Sequence, residues 1–338
     1  MKLVRFLLFP FTILYDLITS IRNLLYDKGN FRSTSFTIPI IAVGNLSVGG
    51  TGKTPQIEYL IRLLRERSVA VLSRGYKRKT SGFVLLNSNH SSEDVGDEPL
   101  QFFRKFPNIA VAVDANRVAG IQRLKKEVNP EIILLDDAYQ HRKVKAGFYV
   151  LLTKYGELYS DDFILPTGNL RESRRGAKRA DLILVTKCPE TLGLKEKERI
   201  KKKLKPLHGQ HVYFTAISYG QVLKGSMPIA VDELSDYTVL LITGIAIPQP
   251  LLDFLSTRKI KYQHLKFPDH HQFSPSDIDT IQKKFEAISA PQKIMVTTEK
   301  DYVRLSDQIK GLSYIEIETQ FLNDSDKFDK EILKFVEV

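Results

Sequence analysis

The chain has 338 residues, 43% of them hydrophobic and 26% charged, enough to bury a sizeable core and long enough for two domains. Lys and Arg number 50 against 39 Asp and Glu, and the formal charge of +11 favours polyanions, anionic membrane surfaces or phosphorylated substrates without choosing among them. A single cysteine, Cys188, excludes an internal disulfide and reads as a small buried hydrophobe of a reducing compartment, not a nucleophile.

The first segment, MKLVRFLLFPFTILYDLITSIRNLLYDKG, is dense in Leu, Ile, Phe and Tyr and interrupted by Arg5, Asp16 and Arg22. Its charge-free run from Phe6 to Tyr15 falls short of the ~20 apolar residues of a spanning helix and contains Pro10. No small-residue cleavage site follows, which argues against a removed signal peptide. Two readings remain over residues 1–28: a helix lying in a bilayer interface, or one docked on the protein's own core. The density of large apolar residues favours the membrane.

TIPIIAVGN predicts a buried strand ending at Gly44, and TPQIEYLIRLLRER a helix with Ile57, Leu60, Ile61 and Leu64 on one face. The short apolar runs VAVLS, IAVAV, IILLD, FYVLLT and DLILVTK follow, with helix-like segments such as NRVAGIQRLKKEV between several of them. Strands alternating with helices predict an α/β fold built on a mostly parallel sheet covered on both faces. KEKERIKKKLKPLHG is a basic, solvated helix, and beyond it TVLLITGIAIPQPLLDFLSTRK and KIMVTTEKDYVRL each read as strand, turn and helix. The expected division is a first domain over residues 29–220 and a smaller α/β domain over residues 221–338. No repeat or low-complexity tract interrupts this pattern.

VGNLSVGGTGKTP lies at the first strand-to-helix turn, where glycines let backbone N–H groups converge on phosphate and the helix adds its positive end. Ser47, Val48, Gly49, Gly50, Thr51, Gly52, Lys53 and Thr54 are the candidate nucleotide-binding residues. Lys53 would reach the β- and γ-phosphates and the Thr54 hydroxyl would meet Mg²⁺. The strict phosphate-loop pattern asks for Gly at position 47, where this chain has Ser47.

EIILLDDAYQHRKV places Asp136 and Asp137 at a strand end, where adjacent carboxylates are costly without a cation and suggest a metal. Gln140 and His141 follow closely and could face the same cleft. VGDEPLQFF carries Asp97 and Glu98, and KFPDHHQFSPSD carries Asp269, His270 and His271, both on Gly/Pro-bounded loops. A kinase acting on a hydroxyl needs a proton acceptor of the Asp or His type beside the γ-phosphate.

Together these motifs, with SRGY, PTGNLRES, RAD and TTEKD, closely resemble the tetraacyldisaccharide 4'-kinase family, whose phosphate loop is itself atypical. The similarity runs through most of the chain. The resemblance implies a P-loop NTPase-like α/β/α domain, a second, smaller α/β/α domain contributing the Asp269-His270 loop, and a hydrophobic N-terminal helix at the inner membrane. It implies ATP and Mg²⁺ as cofactors and transfer of the γ-phosphoryl group to the 4'-hydroxyl of a tetraacyldisaccharide 1-phosphate lipid, at the cytoplasmic face of the inner membrane. By position, Lys53, Asp97 and His270 would be catalytic, with Asp269 in support. Thr54, Glu98, Asp136 and Asp137 would be metal-side residues, and Arg117, Gln140, His141 and Arg171 would meet the lipid substrate. Departures from the family pattern, Ala138, Tyr139, Lys77 and Asn169, remove no chemical group. A membrane-associated P-loop ATPase switch and a soluble small-molecule P-loop kinase or ligase are the rival classes. Nucleic acid is not an expected partner, since the basic residues form no recognisable module.

Overall fold

The apolar run IIAVGN forms β1 (Ile40–Asn45), every residue of which is buried, as in a parallel strand covered on both faces. The computed structural model describes residues 5–337. After β1 come β2 (Val69–Ser73), β3 (Val84–Leu85), β4 (Ala110–Val113), β5 (Ile132–Asp136), β6 (Phe148–Lys154), β7 (Leu182–Thr186) and β8 (His211–Tyr219). Next are β9 (Lys224–Gly225), β10 (Thr238–Thr243), β11 (Lys261–Lys266), β12 (Lys293–Thr298), β13 (Leu312–Ile315) and β14 (Ile317–Phe321). The larger sheet runs β14-β8-β7-β6-β1-β5-β2-β4-β3 and the smaller one β11-β10-β12-β13-β9. In the larger sheet β1 pairs in parallel with both β5 and β6, and only the short β3, among the pairs whose direction is given, is antiparallel to its neighbour.

The helices, in chain order, are α1 (Phe9–Asp27), α2 (Lys53–Leu63), α3 (Ser92–Val95), α4 (Asp97–Lys105) and α5 (Arg117–Glu127). They continue with α6 (Leu194–Leu204), α7 (Gln249–Thr257), α8 (Pro275–Glu286), α9 (Glu299–Leu305) and α10 (Ser325–Val336). By internal contacts the chain divides into two units, one of residues 1–89, 102–217 and 319–338, the other of residues 90–101 and 218–318.

In the first unit, Ile40, Ala42, Leu72, Ile133 and Leu135 pack with Ile121 and Leu124 of α5. Leu151, Ile183, Val185 and Phe214 pack with Ile200 and Leu204 of α6 in a separate cluster. In the second unit, alternate residues of β10 enter different clusters: Val239 and Leu241 join Leu251 and Leu255 of α7, while Leu240 and Ile242 join Ile281 of α8 and Leu305 of α9. Since successive side chains of a strand point to opposite faces, the smaller sheet is covered on both sides.

This division differs from one placed at residue 220. The last twenty residues return to the first unit because α10 buries Phe328 and Ile332 completely, with Phe328 ring-to-ring against Tyr59 and Tyr213 at 5.8 and 5.6 Å. Residues 90–101 belong to the second unit, although in sequence they interrupt the first. Apolar periodicity describes local elements and carries no sign of such long-range returns.

The N-terminal helix α1 inverts the usual rule that apolar residues lie inside. Its buried residues are Thr12 and Thr19, and Thr12 Oγ1 donates to Thr167 Oγ1 at 2.7 Å. Asn23 Nδ2 donates to Glu172 Oε2 at 2.7 Å, and Arg142 pairs with Asp27 at 2.7 Å. Phe11, Ile13, Leu14, Leu17 and Ile18 are instead each more than half exposed. A polar face of the helix therefore docks on the first unit, while an apolar face is left uncovered. Such a continuous exposed apolar face marks an interaction surface. Among the described residues no helix is long and apolar enough to cross a membrane; Met1 to Val4 lie outside them.

Candidate active site

The phosphate-loop sequence follows β1 and opens α2. Gly52, just before the helix, has φ 84°, a conformation that glycine adopts without strain. Lys53, Thr54 and Pro55 form the first helical turn, where the proline's missing N–H has no intrahelical partner to lose. The loop is fastened on three sides: Asn45 Nδ2 donates to Thr51 Oγ1 at 2.7 Å, Thr186 Oγ1 donates to the Thr51 carbonyl at 2.8 Å, and Val48 N–H donates to the Asn169 carbonyl at 2.8 Å. A helix N-terminus held in this way presents unsatisfied N–H groups and a positive dipole end to an anion. Lys187 adds a second ammonium, 3.8 Å from where a Gly50 Cβ would stand.

The acidic strand end is brought to this loop by sheet register. Val43 of β1 is the partner of Asp136 of β5, and the strand order reverses here, β2 lying beyond β5 and β6 on the other side of β1. A crevice at such a reversal, at the carboxyl ends of parallel strands, is where open α/β sheets bind ligands. Gly44 permits the fit, because a Cβ there would stand 2.7 Å from the Tyr139 Cβ. Asp136 is buried and accepts from Ser73 Oγ at 3.0 Å. Asp137 adopts φ 48° and meets Lys53 Nζ at 3.6 Å and Arg171 at 2.9 Å. Arg171 also donates to the Asn45 carbonyl at 2.9 Å. Lys53, Asp137, Arg171 and Asn45 thus form one cluster. Burial would raise the Asp137 pKa, but Lys53, Arg171 and Arg117 outweigh it and hold the carboxyl below its ordinary value. The Thr54 hydroxyl and the two carboxylates are hard oxygen donors, a set that fits Mg²⁺.

Around this cluster the structure assigns different surroundings to the expected substrate residues. Gln140 Nε2 donates to the Asn45 carbonyl at 2.8 Å and to Glu172 Oε1 at 3.0 Å. Glu172 is fully buried and also pairs with Arg179 at 2.7 Å. Arg117 is only 2% exposed; its guanidinium donates to the main-chain carbonyls of Asp114 and, at 3.2 Å, Asp136, so it braces the acidic strand end. His141 is pushed down to about 4 by burial and by the charges of Arg117, Lys143, Arg74 and Arg22. A neutral imidazole among four cations is a setting for an anionic group.

The second unit holds the other candidates. His270 Nδ1 lies 3.2 Å from Asp97 Oδ2, and its Nε2 lies 2.9 Å from Lys300 Nζ. Lys300 also reaches Glu98 Oε1 at 3.7 Å, and Arg304 NH1 lies 3.8 Å from Asp97 Oδ2. Burial raises the Asp97 pKa, but the His270 hydrogen bond and the charges of Arg304 and Lys300 leave it below its ordinary value. Asp269 is exposed and precedes His270 in the turn. The two histidines of DHH separate cleanly: His271 bonds Asp277 Oδ2 at 3.0 Å and stacks on Phe267 at 5.0 Å, a structural role beside the capping box that starts α8.

Sequence reasoning did not single out Asn45, Glu172, Thr186, Lys187, Lys300, Asp301 or Arg304 as site residues. Several fall within motifs already noted, VGN, RES, VTK and TTEKD, and a rule that every buried polar group needs a partner directs attention to Asn45, Glu172, Thr186, Asp301 and Arg304, which are buried.

The sequence matches the family described as tetraacyldisaccharide-1-P 4'-kinase over residues 4–337. It is 54% identical to the tetraacyldisaccharide 4'-kinase of Flavobacterium johnsoniae, covering 99% of this chain and 98% of that one. Identity to the enzyme of the same name from Bacteroides thetaiotaomicron is 44%, over 97% and 92%. The crystal structure of an apo-form LpxK from Aquifex aeolicus in complex with ATP matches with a TM-score of 0.81 and 30% identity, covering 98% of this chain and 99% of that chain. On a match that runs almost end to end, the chain belongs to the tetraacyldisaccharide-1-phosphate 4'-kinase family.

Proposed function

We propose that this chain transfers the γ-phosphoryl group of ATP to the 4'-hydroxyl of a tetraacyldisaccharide 1-phosphate, a step of lipid A biosynthesis. The observation that carries the reading is the Lys53, Asp137 and Arg171 cluster at the mouth of a phosphate loop, in a chain of this family. Residues Ser47 to Thr54 cradle the phosphates through main-chain N–H groups and the α2 dipole. Lys53 moves from Asp137 to the phosphate oxygens that gain charge as the bond between the β-bridging oxygen and the γ-phosphorus breaks. Thr54, Asp136 and Asp137 are the residues that would hold Mg²⁺, which would supply charge neutralisation at the phosphates. The hydroxyl oxygen forms the new bond to phosphorus, its proton passes to Asp97, and ADP leaves. Arg171, Gln140 and His141 serve the lipid headgroup, and Arg117 acts through the main chain of Asp136.

The radiolabel of γ-labelled ATP is expected in the organic phase when the chain is incubated with the disaccharide lipid. Label found only as free phosphate, at a rate indifferent to lipid, would instead identify an ATPase.

The exposed apolar face of α1 is the proposed contact with the cytoplasmic face of the inner membrane, where an interfacial helix gains by burying large side chains. Supporting it are the exposures of Phe11 at 63%, Ile13 at 59% and Ile18 at 57% on a helix whose threonines are the buried residues. The double change Ile13→Glu with Ile18→Glu is expected to weaken co-sedimentation with anionic phospholipid vesicles roughly tenfold or more, from the loss of two apolar side chains each worth about 1.5–3 kcal/mol when fully buried. Because both positions are exposed, the unfolding temperature should not move; unchanged sedimentation would remove α1 as the anchor.

A further inference from the structure

We infer that Lys300 is a positioning residue of the proton-accepting pair: it fixes His270 as the Nδ1–H tautomer, so that the imidazole donates to Asp97 and takes no proton from it. The inference rests on the reading of Asp97 and His270 as that pair.

An ammonium group has three donors and no acceptor. Lys300 Nζ at 2.9 Å from His270 Nε2 therefore requires Nε2 to offer its lone pair. The single proton of a neutral imidazole then sits on Nδ1, which lies 3.2 Å from Asp97 Oδ2, a carboxylate oxygen able to accept it. The chain Lys300 to His270 to Asp97 has one direction of donation throughout.

The surrounding structure holds this arrangement in place. Lys300 is the second residue of α9, which is capped by Thr298, whose side chain accepts from Asp301 N–H. Asp301 is fully buried, accepts from Gly244 N–H at 2.8 Å and pairs with Arg304. Arg304 donates to the His271 carbonyl at 3.0 Å and to the Gly244 carbonyl at 3.3 Å. His270 N–H donates to the Gly244 carbonyl at 3.1 Å, and the residue adopts φ 56°. The histidine turn and the first turn of α9 are thus tied to the same Gly244 peptide units, which sets the Lys300 to His270 distance.

In this role Lys300 handles no substrate proton. During transfer the hydroxyl proton reaches Asp97 while His270 keeps its own, and the carboxylate is oriented by a donor that cannot turn around. Without Lys300, Nε2 loses the donor that engages its lone pair, and the opposite tautomer becomes accessible.

The test uses the full chain with ¹⁵N-labelled histidine, the His270 signals assigned by difference with His270→Gln. In the wild type a pyrrole-type Nδ1 and a pyridine-type Nε2 are expected. Lys300→Met should move Nε2 towards the pyrrole type and lower kcat roughly ten- to a hundredfold, less than the ~10²–10⁴ of losing a general base, with the KM for ATP unchanged. Lys300→Arg, which can still donate, should retain the wild-type pattern and recover most of kcat. A pyrrole-type Nε2 in the wild type, or a pattern unchanged in Lys300→Met, overturns the proposal. If the tautomer responds as stated but no label reaches the lipid, the kinase reading fails and only the control of the His270 tautomer by Lys300 stands, without its role in proton acceptance. If lipid is labelled and the tautomer does not respond, only the Lys300 assignment fails.

Discussion

Lys53→Ala is expected to lower kcat/KM for lipid phosphorylation by roughly 10³-fold, the scale on which point charges at a transferring phosphoryl group act. The residue opens α2 beside Asp137 at 3.6 Å, so its charge sits where the proposed phosphate site would need it, and no other side chain of residues 47–54 supplies one. Lys187, near Gly50, is a second cation at the loop, but it follows β7 and does not open α2, so it does not replace a charge at the helix start. The fold should survive, because Asp137 keeps its 2.9 Å pair with Arg171. The Asp137 carboxyl is depressed below its ordinary pKa, so its stabilising interactions are complete above the usual carboxylate range and are lost as pH falls through the lower, folded-state value. Removing Lys53 takes away the leading favourable charge and should move that loss to higher pH, a shift visible in the acid limb of thermal unfolding. Near-normal transfer by Lys53→Ala would remove the phosphate-loop assignment altogether.

Much of the fold could be read from apolar period. VAVLS, IILLD and DLILVTK become β2, β5 and β7, and NRVAGIQRLKKEV contains α5. Strands buried on both faces leave this continuous signal. KYQHLK did not announce β11, because that strand lies at a sheet edge and buries none of its residues fully. The two-residue β3 and β9 are too short to show a period. Site residues on loops bounded by Gly and Pro were visible as chemistry, while their partners were not. Asp97 and His270 are 173 positions apart, and only the fold reveals that Lys300 completes their chain. Arg117 shows the opposite limit: the resemblance implied a contact with the lipid substrate, and burial under the acidic strand end was invisible to composition.

Asp97→Ala is the second large effect, and its mechanism is set by the pKa direction of the residue. Three donors or cations, His270, Arg304 and Lys300, more than offset burial and keep the carboxyl below its ordinary value. An aspartate so held is ionised throughout the neutral range and is a weak base. That suits phosphoryl transfer, whose loose transition state leaves the hydroxyl proton in place until the new bond is well advanced. Loss of the carboxylate is expected to lower kcat by about 100-fold or more while leaving the KM for ATP nearly unchanged. Arg304, 2% exposed at its side chain, would still hold Asp301, so the second unit should remain folded. With Asp97 as the proposed proton acceptor, activity needs the ionised form, is present above the folded-state pKa and falls only as pH drops through it. The wild type should therefore show no acid limb from Asp97 between about pH 5 and 8, given an unperturbed aspartate near 3.9. Should ATP affinity collapse in Asp97→Ala while kcat survives, the carboxylate would be a nucleotide ligand and the proton would need another acceptor.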